Sequence, residues 1–486
     1  MKREILMERV QTQLRLAVLE ENKLCEIYYE RRGREKLSGN IYAGRVQNIL
    51  PGMNAAFVDI GLGKNAFLYA GDIAIDTREQ QALRDQLENR RIEKLLRPGQ
   101  MIVVQVVKEP GGSKGPRISG SITLPGRMSV LLPDIRYAGV SKKINGEAER
   151  ARLHAIAKGL AEEMGAGVII RTAAENADEA AIRSDYEALL RLWKKIETQA
   201  SHSAVPGLIQ SDGNLALRAV RDMLDEDVLA LRTDDEALYH ELLAYAQAIT
   251  PALAERIHLE RSEMPLFDVH RVDHQLEDAF ARHVWLKSGG SIVIDETEAM
   301  TVIDVNTGKF TGKKSLSETI FRINCEAAEE IARQLRLRDL GGIIIVDFID
   351  MDGPEQKQQL LEMLKAALAK DRNRTSVLGI TALGLVEMTR KKLRRPLSKQ
   401  LQHDCSACRG TGREWTYESV AYQAVRELWA RRRRGDNTPY RIRCGEHTAA
   451  IIRAIGLPEG GRTVVDPSGA EGGYELAHDL RKEETL

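Results

Sequence analysis

The segment from Ser288 to Asp350 restricts the fold of this chain more than any other. It opens SGGSIVIDETEAMTVIDVNTGKFTG and closes LRLRDLGGIIIVDFID. In its first half Ile292, Ile294, Val302 and Asp304 sit among β-branched neighbours at a period near two, with Glu296-Thr-Glu298 as the turn, which predicts two paired strands. Ser315-Leu-Ser-Glu318 has the form of a capping box. Ile320, Ile323, Ala327, Ala328, Ile331 and Leu335 follow at helical spacing, predicting one amphipathic helix to about Arg338. Gly341-Gly342 stops it, and Ile343-Ile-Ile-Val346 is apolar and β-branched enough to require a buried strand running into Asp347.

Strand, helix, strand favours two neighbours in one sheet, so Asp304 and Asp347 are expected side by side at its edge, with Asn306 facing the same way as Asp304. Two carboxylates together need a cation. A hard divalent ion such as magnesium takes oxygen ligands and commonly uses only one or two protein carboxylates plus phosphate. Otherwise the aspartates cap turns or pair with Arg336 and Arg338.

With 486 residues the chain is long enough for roughly three domains. Its 71 basic and 71 acidic residues cancel, so any nucleic-acid binding must rest on local basic patches. The first residues lack the apolar core of a signal peptide, and no window approaches the ~18 apolar residues of a membrane helix, which points to the cytoplasm. Five scattered cysteines do not form a secreted disulfide framework.

Residues 1–37 alternate in the manner of strands. From Ser38 to about Leu124, the short runs Asn40–Leu50, Ala55–Ile60, Asn65–Tyr69 and Met101–Lys108, broken by glycine turns, predict a small barrel. Phe57 and Phe67, two of only seven phenylalanines, are interleaved with Arg45, Lys64 and Lys114. An oligonucleotide-binding barrel stacks bases on such aromatics, and simple core packing is the other reading. Residues 125–212 make a new unit, with helices predicted over Glu147–Met164 and Ala180–Ser201 and a strand Val168–Ile170 ending in Arg171-Thr172. That pair can grip a terminal phosphate or form a surface salt bridge. Lys142 and Lys143 are further phosphate candidates.

Beyond Asp350, Arg372 and Arg374 are placed as cations near a scissile phosphate, and Arg390-Lys-Lys-Leu-Arg-Arg395 as an RNA track or a helix C-terminal face. Cys405-Ser-Ala-Cys408-Arg-Gly-Thr-Gly412 has the spacing of half a zinc site. Cys444, His403 or His447 completes it within one chain, or two chains each donate a pair.

DVNTGKFTG, EAAEEIARQLRLRDLGGIIIVDFIDM and TSVLGITALGLVEMTRKK resemble the catalytic region of the ribonuclease E/G family, in wording closer to its shorter members than to its long ones. The resemblance implies a magnesium-dependent endoribonuclease that hydrolyses single-stranded, AU-rich RNA, leaving five-prime phosphate and three-prime hydroxyl ends, in ribosomal RNA maturation and messenger decay. It implies that Asp304 and Asp347 hold the magnesium and that Asn306 hydrogen-bonds near them. AAFVDIGLGKNAFL resembles the family's inserted OB-fold barrel, where Phe57, Phe67 and Lys114 would contact RNA; GVIIRTAAENA resembles its five-prime sensor, where Arg171 and Thr172 would bind a five-prime monophosphate.

The implied architecture is a multidomain α/β protein. A discontinuous ribonuclease-H-like subdomain (1–37 and 213–280) carries the barrel (38–124) and the sensor (125–212), followed by a deoxyribonuclease-I-like catalytic subdomain (281–400), a zinc-link (401–414) and a small C-terminal oligomerisation domain (415–486). Cys405 and Cys408 would share a structural zinc across a homodimer or homotetramer, although Ser406 stands where the family usually has proline. No membrane and no scaffold arm for other decay proteins is expected. Two rival readings are a non-catalytic RNA-binding or assembly protein and a metal-dependent DNA phosphodiesterase.

Overall fold

The structure, a computed structural model, describes residues 2–33, 36–73, 91–110, 114–144, 146–308, 316–351, 353–406, 408, 410–470 and 472–479. The chain divides into two compact units, Met1–Leu397 and Ser398–Leu486.

Among the described residues the first unit holds four sheets. Alternating apolar residues put Arg3–Val10, Gln13–Glu20 and Lys23–Arg31 into an antiparallel meander, and Val228–Thr233 and Ile257–Leu259 join it in parallel on the other side of Arg3–Val10. One sheet is thereby built from two stretches far apart in sequence. Helices Leu215–Met223 and Glu236–Ile249 cover it, with Ile5, Leu16, Val220 and Leu242 in the shared core.

Strands Ile41–Leu50, Ala55–Asp59, Ala66–Tyr69, Arg117–Ser119 and Met101–Lys108 pair in that order, and the last closes on the first. The result is a five-stranded closed barrel, with Gly207–Gln210 added along Ile41–Leu50. Gly44 is required inside it, since a Cβ there would lie 2.6 Å from a Val58 methyl.

The third sheet runs in the order Ala138–Val140, Gly167–Ile170, Ser129–Leu132, Leu124–Pro125 and packs on helices Glu147–Met164 and Glu179–Ser201. The first helix ends at Gly165, whose φ of 73° is the left-handed cap expected of glycine.

The fourth sheet has six strands in the order His283–Trp285, Ser291–Glu296, Met300–Asn306, Gly342–Asp347, Val386–Arg390, Thr375–Ile380. Helices Leu316–Leu337 and Pro354–Leu368 pack on one face, burying Ile303, Ile344, Val346, Ile331 and Leu364. The expected cap at Ser315 lies outside the described residues. The far side of helix Leu316–Leu337 meets the first sheet through charge: buried Arg336 pairs with Glu20 at 2.6 Å and Glu26 at 2.8 Å, and Arg333 donates to the Leu24 carbonyl at 2.6 Å. Glu26 also accepts from Tyr28, so its carboxylate has the partners that a buried charge requires.

The second unit sets helices Tyr417–Arg433 and Glu446–Ile455 on a three-stranded sheet ordered Thr463–Asp466, Tyr440–Cys444, Tyr474–His478. No helix among the described residues is long and apolar enough to cross a membrane.

Candidate active site

Strand Met300–Asn306 alternates strictly: Thr301, Ile303 and Val305 are buried, while Val302, Asp304 and Asn306 face out. Strand Gly342–Asp347 lies parallel to it with Asp347 directly opposite Asp304. Residues in register project to one face, so the two carboxylates stand together where both strands end. The expected juxtaposition is present. Asn306 Nδ2 donates to Asp304 Oδ2 at 2.7 Å, which holds that carboxylate in one orientation. Partial burial, together with the charges of Asp304 and Asp350, pushes the Asp347 carboxyl above the usual carboxylate range.

The arginines offered as alternative partners are committed elsewhere. Arg336 is on Glu20 and Glu26, and Arg338 donates to Gln334 and to the Ala281 carbonyl. Among the described residues no cluster of three or more histidine, cysteine, aspartate or glutamate side chains is arranged as a metal site. Two carboxylates with a third nearby still suit a hard ion that keeps most of its waters, because gathered like charges are relieved by a cation.

Two further residues of this site escaped the sequence reading. Asp350 acts on Asp347 by its charge. Asn324 is fully buried on helix Leu316–Leu337, where its Nδ2 donates to the Ile349 carbonyl at 2.8 Å and its Oδ1 accepts from the Ile349 amide at 3.1 Å. That pair of bonds fixes the chain between Asp347 and Asp350. The available signal was an asparagine one residue after Ile323, inside the apolar stripe of an amphipathic helix.

Arg372 and Arg374 are not beside the carboxylates. Thr375 is in register with Arg390, and Arg390 with Gly342, at the opposite end of the strand that finishes in Asp347. Five residue steps along the strand separate the two ends, roughly 17 Å. Arg372 instead faces Glu26, and its carbonyl accepts from Lys143 Nζ at 3.2 Å. The Arg390–Arg395 cluster is not a helix end but follows from strand Val386–Arg390, and two of its arginines are held by carboxylates. Arg390 is buried on Asp371 at 2.6 Å and Asp339 at 2.9 Å, and Arg394 pairs with Asp339 at 2.8 Å while lying over the Tyr28 ring.

Arg171 follows strand Gly167–Ile170 and Thr172 begins a short 3-10 turn, exposed to solvent. The Arg171 amide donates to the Met128 carbonyl at 2.8 Å, and its guanidinium to the Gly126 carbonyl and to Asp222 at 2.7 Å. The Gly126–Ser129 turn thus forms one wall of the phosphate candidate. Asp185 holds that turn by accepting from the amides of Arg127, Met128 and Ser129 and from the Ser129 hydroxyl. A Cβ at Gly126 would lie 2.6 Å from Asp185.

On the barrel, Phe57 and Phe67 are directly opposed on adjacent strands, with ring centroids 6.1 Å apart and edge to face. Ala56, Val58, Ala66 and Leu68 fill the interior, and the two phenylalanines lie half-exposed on the outer side. Exposed Lys114 is next to them, since the Phe67 amide donates to the Pro116 carbonyl at 2.8 Å and Gly115 packs on the Asn65 backbone.

In the second unit, Cys405 and Cys408 are thiols, and the Gly412 amide donates to Cys408 Sγ at 3.3 Å, the contact expected around a metal-binding thiolate. Cys444 is fully buried in the core of this unit, with Ile442 and Ile452. His447 stacks on Tyr417 at 5.0 Å.

These features define a mixed α/β protein with a closed barrel carrying outward aromatics and, on another sheet, a paired-carboxylate strand end suited to a hard cation. The model of the ribonuclease E/G family matches residues 123–393. The chain is 44% identical over 430 residues to ribonuclease G of Haemophilus influenzae, with 87% of each chain covered. It is 43% identical over 432 residues to ribonuclease G of Escherichia coli strain K12, with 88% of each covered. It is 40% identical over 400 residues to ribonuclease E of a Nostoc species, with 82% of this chain and 57% of that one covered. The chain belongs to the ribonuclease E/G family.

Proposed function

We propose that the chain hydrolyses single-stranded, AU-rich RNA in a magnesium-dependent reaction, prefers a five-prime monophosphate, and leaves five-prime phosphate and three-prime hydroxyl ends. A member of this family is an endoribonuclease, a hydrolase acting in RNA processing. Ribosomal RNA maturation and messenger decay in the cytoplasm are the proposed settings.

The observation that carries the reading is the direct register of Asp304 with Asp347, with Asn306 bonded to the first. Asp304 and Asp347 are assigned as the magnesium ligands. When bound, the ion would supply Lewis-acid polarisation of the scissile phosphate and relief of developing charge. Asn306 restrains Asp304, and the Asn324 clamp sets the approach of Asp347. Phe57, Phe67 and Lys114 bind RNA on the barrel by stacking and charge. Arg372 and Arg374, a strand length away, hold backbone phosphates remote from the cut. Arg171 and Thr172 take the five-prime phosphate.

In this reading the first sheet with its helices is the ribonuclease-H-like subdomain, the barrel is the OB-fold, the third sheet is the sensor and the fourth is the deoxyribonuclease-I-like subdomain. Cys405 and Cys408 supply half of a tetrahedral structural zinc site, and the same pair from a second copy supplies the rest, giving a homodimer or homotetramer.

The test is cleavage of a five-prime monophosphorylated, AU-rich oligonucleotide in magnesium, with mapping of the product ends. Asp347→Asn is expected to lower the rate by more than about a thousandfold while leaving the melting temperature unchanged or higher, since a like-charge repulsion is removed. Parent-like cleavage by that variant would overturn the mechanism, and equal cleavage of the deoxy strand would overturn the substrate.

A further inference from the structure

Arg171 already has protein partners. Its Nη2 donates to Asp222 Oδ1 at 2.7 Å and its Nη1 to the Gly126 carbonyl, so part of a five-donor fork is engaged before any ligand arrives. Asp222 lies in the last turn of helix Leu215–Met223, and Arg221 grips it from the other side. Arg221 Nε lies 3.2 and 3.3 Å from the two carboxylate oxygens and Nη2 lies 2.9 Å from Oδ2. Arg221 Nη1 in turn reaches Asp212 Oδ1 at 2.8 Å. Charges alternate along the row Arg171, Asp222, Arg221, Asp212. Buried Arg127, whose Nη1 points at the carbonyls of Val220 and Arg221, also feels the Asp222 charge. Burial works to raise the Asp222 carboxyl, but Arg221 and then Arg171 hold it below the usual range, so it stays ionised.

Two consequences follow for a ligand. A guanidinium held by a pinned carboxylate keeps one orientation, so its remaining donors aim in a fixed direction. The same carboxylate offsets positive charge that would otherwise draw in any stretch of RNA backbone. A singly charged internal phosphate gains little from an arginine that is already answered. A terminal phosphate, with more charge and more acceptor oxygens, can still compete.

We propose that Asp222 is a positioning and specificity-determining residue of the terminal-phosphate pocket, fixing Arg171 and tempering its charge so that a chain-end phosphate is preferred over internal ones. This rests on the assignment of Arg171 and Thr172 as the five-prime sensor.

The experiment measures kcat and KM for the full chain on two RNAs of one sequence, one with a five-prime monophosphate and one with a five-prime hydroxyl. Parent, Asp222→Asn and Asp222→Ser are compared, with melting temperature as the check on folding and the serine variant as reserve should the first not fold. Asp222→Asn is expected to cut the preference for the monophosphate about tenfold, and to do so through KM, because the monophosphate loses an oriented arginine while backbone binding gains an untempered one. A parent preference retained by the variants overturns the role of Asp222 alone. Equal losses on both RNAs, carried by kcat, also overturn it, since that is what a structural role gives. A parent without any preference overturns the sensor assignment and this inference with it.

Discussion

Asp304 with Asp347 and Arg171 with Asp222 are both charged sites at strand ends, yet they are balanced differently. At the first, two carboxylates share one face, a third lies close, and the arginines nearest in sequence are turned to other partners. At the second, a cation is answered by a carboxylate that is itself answered by another cation. A strand end whose carboxylates have no ion pair among the described residues attracts a counter-ion strongly and with little discrimination. A compensated one binds only what can displace or outcompete its internal partner, which favours selectivity over affinity. Chemistry is assigned to the former and recognition to the latter.

The largest expected effect outside the carboxylates themselves comes from loosening their support. Asn324→Ala removes both bonds to the Ile349 backbone, and a small displacement of Asp347 and Asp350 is expected to lower kcat by about a hundredfold on monophosphate and hydroxyl RNAs alike. The same variant should lose about 1–3 kcal/mol of stability in chemical denaturation, because main-chain groups are left without partners. Phe57→Ala comes next. It is expected to weaken RNA binding about tenfold in a filter or fluorescence titration, again without regard to the five-prime end, which separates the barrel from the sensor. Since Phe67 packs on the edge of Phe57, the double variant should cost less than the product of the two single losses.

The smallest effect concerns stability. Burial acts to raise the Glu26 carboxyl, but Arg372, Arg336 and Tyr28 hold it down at about 2. A folded-state value below that of the unfolded chain means the contribution is complete above about pH 4.5 and is lost as pH falls through about 2. Parent stability is expected to drop by about 3 kcal/mol across that window, and Glu26→Gln should flatten the curve there. An unchanged slope in the variant would show that Glu26 is not an acid-sensitive element.

Much of the fourth sheet was legible because local signals and tertiary demands agree. Strict alternation from Met300 to Asn306, an apolar run from Ile343 to Val346 and a helix between them leave few topologies, and the parallel register follows. Strand Val386–Arg390 was missed, as were the three strands of the second unit, because stretches of four or five residues are too short for alternation to stand out, although in Tyr440–Cys444 the alternating apolar residues between Pro439 and Gly445 were a usable strand signal. The positions of Arg372 and Arg374 were misjudged for a related reason. Sequence distance from Asp347 is short, but helix Pro354–Leu368 carries the chain back along the sheet, so Thr375 starts a strand parallel to Gly342–Asp347 at the end away from Asp347. A polar residue in an apolar stripe flags Asn324, but what Asn324 and Asp222 hold is legible only once the fold brings the Ile349 backbone and the Arg171 guanidinium within reach.

The electrostatic seam between helix Leu316–Leu337 and strand Lys23–Arg31 bears on how this molecule can be dissected. A fragment beginning near residue 281 would keep the Arg333–Glu330 pair but lose the Leu24 carbonyl that Arg333 also reaches and both glutamates that answer buried Arg336, leaving that cation unpaired. The fourth sheet with its helices is therefore not a portable cassette, because residues Glu20 to Glu26 complete the charge pairing of its longest helix.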